Sequence, residues 1–257
     1  MSDPATAASP AAARQGPVIL VVSLADASER RAGIRRALGS LGLSFEFIDG
    51  VDARRGVPLA FTAEVDRSEA PEVTEVELGC SLSHALAYRY IVEHSIPHAI
   101  IMEDDAIPTE LLVQFIEERC HERAPLIQLY HQAAYVRRLG RQQAFPGVYL
   151  TQLATNCSGT VAYSLDLATA KVLRKATTPV RGRADWPVDL RSLGACVTQP
   201  VMVSHPPDRD DSVIGVSHSR DPRGLQRLLN RSYYRTKWRR LFAKRVHGHR
   251  EARARRS

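Results

Sequence analysis

The sequence predicts an α/β protein with a mostly parallel, mixed sheet, and three observations carry that reading. Residues 18–22, Val-Ile-Leu-Val-Val, are a continuous apolar run dominated by β-branched side chains, the pattern of a strand buried on both faces. A helical period over residues 28–41 and a second strand pattern over 44–48 follow, which makes a βαβ unit with a right-handed crossover. A third apolar run, residues 98–102, ends abruptly in Glu103-Asp104-Asp105.

The first strand pattern follows residues 1–16, which are rich in Ala, Pro and Ser, lack an apolar signal core and read as a disordered leader. The helix over 28–41 places Ile34, Leu38 and Leu41 on one face and Arg30, Arg31, Arg35 and Arg36 on the others. The second strand closes at Asp49-Gly50. Residues 53–76 are less periodic and read as an irregular loop with short helical pieces. Residues 77–93 form a long, mostly buried helix pattern in which Leu82, Leu86 and Tyr90 stack. Beyond the acidic triplet, an amphipathic helix is expected over 109–120 and strands over 126–130, 148–151 and 159–163. A helix capped by Asp166 is expected over 166–176. Residues 195–198 and 201–203 are expected to finish the sheet. No linker precedes about Ser219, so residues 17–218 read as one domain and 219–257 as a separate basic segment.

The formal net charge of +7 is unevenly spread. Residues 221–257 hold 13 Lys/Arg against 2 Asp/Glu, a local net of +11, which leaves −4 for the other 220 residues. Such a tail suits nucleic acid, an anionic membrane surface or an acidic substrate. Within 225–245, apolar residues recur at Leu225, Leu228, Leu229, Tyr233, Trp238, Leu241 and Phe242 among arginines and lysines. This reads as a basic amphipathic helix with an aromatic wedge, suited to an anionic membrane surface. The other reading is a terminal helix packed on the body with a solvated charged face. Nucleic acid is disfavoured, because no recognised motif accompanies the charge. Cys80, Cys120, Cys157 and Cys196 are far apart, with no CxxC pair and no zinc spacing, which suits reduced thiols in a cytosolic protein. No stretch reaches the roughly 18 to 20 apolar residues that cross a bilayer.

The chemistry centres on the triplet. Three adjacent carboxylates repel one another and are costly to desolvate. A divalent cation taking hard oxygen ligands resolves that cost; so does an acidic turn that solvates a strand end and caps the next helix. No GxGxxG follows the first strand and no GxxxxGK[ST] occurs, which disfavours Rossmann dehydrogenases and P-loop NTPases. Ligands of open parallel sheets sit outside the carboxyl ends of the strands. The Ser23 loop, the Asp49 turn and the triplet would share that edge. A metal held by carboxylates beside a nucleotide suits a diphosphate leaving group.

Several blocks in order resemble glycosyltransferase family 25, the bacterial lipooligosaccharide galactosyltransferase type. The strongest are residues 77–84 (Glu-Leu-Gly-Cys-Ser-Leu-Ser-His) and 100–105 (Ile-Ile-Met-Glu-Asp-Asp). Residues 18–24 with Arg30-Arg31, residues 45–52, residues 159–173 and Trp186-Pro187-Val188-Asp189 add to the likeness, which covers roughly residues 17–215. Val76 stands where the family usually has Gly, and Ser23 where it usually has Asn. The resemblance implies a GT-A-type, Rossmann-like nucleotide-sugar-binding domain. It also implies inverting transfer of a hexose, usually galactose from UDP-galactose, onto a glycolipid or oligosaccharide acceptor.

By this resemblance Glu103 and Asp105 hold Mn²⁺ or Mg²⁺, while Asp104 touches ribose or braces the loop. A late histidine often joins such a metal; His218 is assigned that place, with His205 the other available. An inverting transfer needs a base for the acceptor hydroxyl. Asp189 is the first candidate and Asp185 the second, and either could instead cap a helix after Pro187. On the donor side, Ser23, Arg30, Asp49, Asp52, Ser83, His84 and Asp104 are assigned to binding. Each has a plainer reading: Arg30 a solvated helix charge, Asp49 and Asp52 turn formers, His84 a buried hydrogen-bonded histidine. A lipooligosaccharide acceptor lies in the inner leaflet of the cytoplasmic membrane, which matches a cytoplasmic protein peripheral on that face. The rival reading is a non-catalytic protein of this fold whose tail binds membrane or nucleic acid.

Overall fold

An eight-stranded mixed sheet organises the molecule, a computed structural model that describes residues 16–68, 72–206 and 238–248. Near one edge lies β1 (Val18–Ser23), flanked in parallel by the edge strand β2 (Glu46–Asp49) and by β3 (His98–Glu103). Next to β3 lie, in order, β9 (Ala162–Asp166), β5 (Leu126–Gln128), β10 (Cys196–Gln199), β8 (Val148–Gln152) and β7 (Gln142–Phe145). β9 and β8 run against the other six strands.

The continuous apolar runs mark strands covered on both faces. Along β1, Leu20 and Val22 enter one core cluster while Ile19 and Val21 enter the other. Along β3, Ala99 and Ile101 alternate with Ile100 and Met102 in the same way. Tyr88 and Ile91 of α2 (Glu75–Glu93) and Leu173 of α4 (Leu167–Ala176) fill the first face. Ile34 and Leu38 of α1 (Ser28–Ser40), with Leu112 and Phe115 of α3 (Glu110–Glu117), fill the second. The result is helix, sheet and helix in three layers.

α2 begins with a capping box: the Glu77 N–H donates to Thr74 Oγ1, and the Glu77 carboxylate accepts from the Thr74 N–H at 2.9 Å. A second constraint is Gly79. A Cβ there would lie 2.8 Å from both Val51 O and Ala53 Cβ. The glycine lets α2 press against residues 51–53, the turn that follows β2.

Two expectations need correction. Residues 201–203 do not finish the sheet. Pro200 has no N–H with which to extend the ladder, and the chain leaves; β11 (Val203–Ser204) pairs instead with β4 (Ile107–Pro108), beside the triplet. The basic helix expected through Arg245 does not reach it. Residues 238–241 are helical, but β12 (Ala243–His247) is a strand, antiparallel to β6 (Ala133–Arg137). The edge of β6 offers a full ladder of backbone partners. Ala243 and Val246 are buried on it, and Lys244 and Arg245 stay exposed. The remainder of the expected tail helix and the leader over 1–15 lie outside the described residues. Among the described residues no helix is long and apolar enough to cross a membrane.

Candidate active site

β1, β2 and β3 end side by side, so their carboxyl ends bring Ser23, Asp49 and Glu103 to one edge. The hydrogen bond from the Gly50 N–H to Ser23 O at 2.8 Å ties the first two ends together. A cleft of about 250 Å³ opens there, lined among others by Ser23, Arg30, Asp52, Cys80, His84, the whole triplet and His205.

The three carboxylates have different surroundings. Glu103 Oε1 accepts from the Thr160 hydroxyl at 2.7 Å and lies 3.5 Å from His84 Nε2. Asp104 is the most enclosed, 8% exposed, and accepts from the Ser23 hydroxyl at 2.7 Å and from Arg30 Nη1 at 3.0 Å. Burial raises its pKa, against the pull of Ser23 and Arg30. Asp105 Oδ2 meets Arg30 Nη2 at 2.9 Å and His205 Nε2 at 3.3 Å. Burial acts to raise the Asp105 pKa, but the His205 hydrogen bond and the charges of His205 and Arg30 outweigh it and bring it below its ordinary value. The same hydrogen bond raises His205. Asp105 Oδ1 is buried and has no hydrogen-bond partner.

The other assigned residues divide. Arg30 bridges Asp104 and Asp105, so it is not a solvated helix charge. His84 is buried on the cleft wall, its Nδ1 2.9 Å from the Tyr163 hydroxyl. Asp52 lines the cleft at its rim, and Arg54 hydrogen bonds hold its pKa at about 2. The Ser83 hydroxyl is already used. It accepts from the Val51 N–H at 2.8 Å and donates to Gly79 O at 2.6 Å, so it braces the turn under the cleft. Asp49 is not among the residues that line the cleft and pairs with Arg31. Asp189 pairs with Arg239 Nη1 at 2.8 Å, outside the residues that line the cleft. Its partner lies fifty positions later in the chain, beyond any local pattern. Asp185 is likewise outside the residues that line the cleft, but its charge reaches Cys80 on the cleft wall. Burial pushes the Cys80 thiol well up, and Glu103, Asp105, Asp185 and Asp104 add to the rise. The Gly159 N–H also reaches Asp185 Oδ1 at 3.5 Å, one residue before Thr160. His218 lies outside the described residues, and His205 is the late histidine that the structure brings to the triplet.

Sequence reasoning did not single out Cys80, Thr160 or Tyr163. Cys80 carried a signal, since it stands four positions before His84 on one helix face. Thr160 and Tyr163 reach the site only through the pairing of β9 with β3.

The chain belongs to glycosyltransferase family 25 (LPS biosynthesis protein), whose profile matches residues 17–191. It is 34% identical over 99 residues to the lacto-N-neotetraose biosynthesis glycosyltransferase LgtB of Neisseria gonorrhoeae, covering 38% of this chain and 36% of that protein. It is 28% identical over 171 residues to the inactive glycosyltransferase 25 family member 3 of Mus musculus, covering 60% of this chain and 28% of that one. The match thus spans about a third of the length of LgtB and less of the mouse protein. Among solved structures, A197 from STIV aligns with a TM-score of 0.44 at 11% identity, over 76% of this chain and 87% of that one.

Proposed function

We propose that this chain is a metal-dependent, inverting glycosyltransferase that moves a hexose, with UDP-galactose the leading donor, onto a lipooligosaccharide or related saccharide. One observation carries the reading: the triplet closes a strand at the ligand edge of the sheet, and Asp105 Oδ1 is buried there without a partner. A buried carboxylate oxygen in that condition is costly unless a cation or donor completes it. The donor set fits Mn²⁺ or Mg²⁺, with Glu103 and Asp105 as the residues that would hold it. When bound, such a cation neutralises charge on the departing diphosphate.

The chain's own groups do the rest. Ser23 and Arg30 hold Asp104 rigid, so the triplet keeps its shape as the donor arrives. Arg30 carries the positive charge nearest the carboxylates and suits a diphosphate oxygen. The acceptor hydroxyl must lose its proton as it attacks the anomeric carbon. Geometry favours Asp185 for that base, because it is exposed and linked through Gly159 and Thr160 to Glu103. Asp189, engaged by Arg239, then positions the C-terminal segment.

Trp238, Leu241 and Phe242 are 64%, 68% and 70% exposed, and Arg240, Lys244 and Arg245, close to them in sequence, are exposed too. That pairing of aromatic and cationic side chains supports peripheral attachment to the anionic inner face of the cytoplasmic membrane, where a glycolipid acceptor would be met. A panel of UDP-sugars assayed for metal-dependent transfer or hydrolysis tests the enzymatic reading. Turnover of one UDP-hexose that stops on chelation supports it. No turnover of any UDP-sugar, with or without metal, overturns it and favours the non-catalytic alternative.

A further inference from the structure

One wall of the cleft gathers three ligand-type side chains, of which the proposed donor chemistry uses only Glu103. Cys80 and His84 stand one turn apart on the same face of α2, and Glu103 ends β3 opposite them. One ligand atom from each lies within 4.8 Å of the others. His84 Nε2 and Glu103 Oε1 are 3.5 Å apart. That is close to the spacing produced when both atoms sit about 2.0–2.2 Å from one tetrahedral ion.

The histidine itself points to a ligand. Its ring is 2% exposed, and Nε2 has no hydrogen-bond partner. The other nitrogen is anchored: Nδ1 is 2.9 Å from Tyr163 Oη, which is 2.9 Å from Tyr88 Oη. When the Nδ1–H donates to Tyr163, Nε2 turns a lone pair toward Cys80 and Glu103. Metal-bound histidines are oriented by such outer partners. The Thr160 hydroxyl steadies Glu103 in the same way.

We infer that Cys80 Sγ, His84 Nε2 and Glu103 form a three-ligand site for a thiophilic divalent cation, Zn²⁺ by its sulfur, nitrogen and oxygen donors, with the fourth position open to the cleft. Binding forms the sulfur–metal bond as the thiol gives its proton to solvent. Mg²⁺ and Mn²⁺ prefer oxygen donors and match this set poorly. Cys80 and His84 set this site apart from the donor-metal arrangement, and the two share Glu103. One consequence rests on the proposed function: Zn²⁺ held here competes with the donor complex for that carboxylate and inhibits transfer.

The test uses the full chain without nucleotide. Titration with Co²⁺ is expected to give a thiolate-to-cobalt charge-transfer band in the near ultraviolet, and Zn²⁺ to bleach it at one equivalent. Cys80→Ser is expected to abolish the band and weaken Zn²⁺ binding at least tenfold, while Cys120→Ser leaves both unchanged. Should Cys80→Ser fail to fold, His84→Gln keeps the thiol and is expected to weaken Zn²⁺ binding and alter the band. Absence of the band in the full chain, or its persistence in Cys80→Ser, overturns the inference. A chain that shows the band but no response to UDP with Mn²⁺ overturns the donor reading alone.

Discussion

Asp104 and Asp105 are adjacent in sequence and differ in what their oxygens touch. Both oxygens of Asp104 are occupied, by Ser23 and Arg30, whereas Asp105 keeps one buried oxygen bare. Asp104→Asn is therefore expected to lower stability by about 1–3 kcal/mol, read by urea denaturation. Asp105→Asn breaks the ion pairs with Arg30 and His205 and is expected to lower stability as well, but it alone abolishes the stabilisation that UDP gives in the presence of Mn²⁺. Equal effects of the two substitutions on both readouts would contradict the division of roles. His121, far from the cleft, sets a pH dependence. Burial lowers its pKa from 6.5 to about 4, so the unfolded chain takes up a proton that the folded chain refuses. Stability attached to this group is complete above pH 6.5 and is lost as pH falls toward 4, on the order of 2 kcal/mol. Denaturation midpoints between pH 7.5 and pH 4.5 check this; His121→Gln is expected to flatten the fall.

At the scale of elements, the contact between α2 and the 51–53 turn shapes the donor side of the cleft. Gly79→Ala places a methyl 2.8 Å from Val51 O and Ala53 Cβ, so the helix or the turn must move. The expected loss is about 1–3 kcal/mol, with weaker UDP binding because Val51 and Ala53 line the cleft. Unchanged melting temperature and UDP affinity would contradict it. β1, β3, α2 and α4 were legible in the sequence because each carries a long, unambiguous period or a cap. β6, β7 and β12 were not, since they are short, partly polar strands: β6 and β12 form by pairing with each other far along the chain, and β7 folds back on β8 in a hairpin without a clear apolar alternation of its own. The same difference separates the site residues. The triplet announces itself by three charges in a row. The Asp189–Arg239 pair and the meeting of Cys80 and His84 with Glu103 exist only once the sheet has folded.

Across the whole molecule, the C-terminal segment both completes the body and presents a distinct surface. Val246 joins the main core cluster, so removing residues after 218 would strip β12 from β6 and unsettle the body as well. A cleaner test keeps the full chain and replaces Trp238, Leu241 and Phe242 together by Ser. Flotation with anionic vesicles is expected to fall at least tenfold at an unchanged melting temperature; undiminished binding would contradict the membrane role of this surface. The central claim is that the triplet at the end of β3 holds a cation and a nucleoside diphosphate together. Thermal denaturation of the full chain with UDP, Mn²⁺, or both tests it most directly. The account predicts that UDP with Mn²⁺ raises the melting temperature well beyond either alone, and that Asp105→Asn removes the gain. No metal-dependent stabilisation by UDP would contradict it.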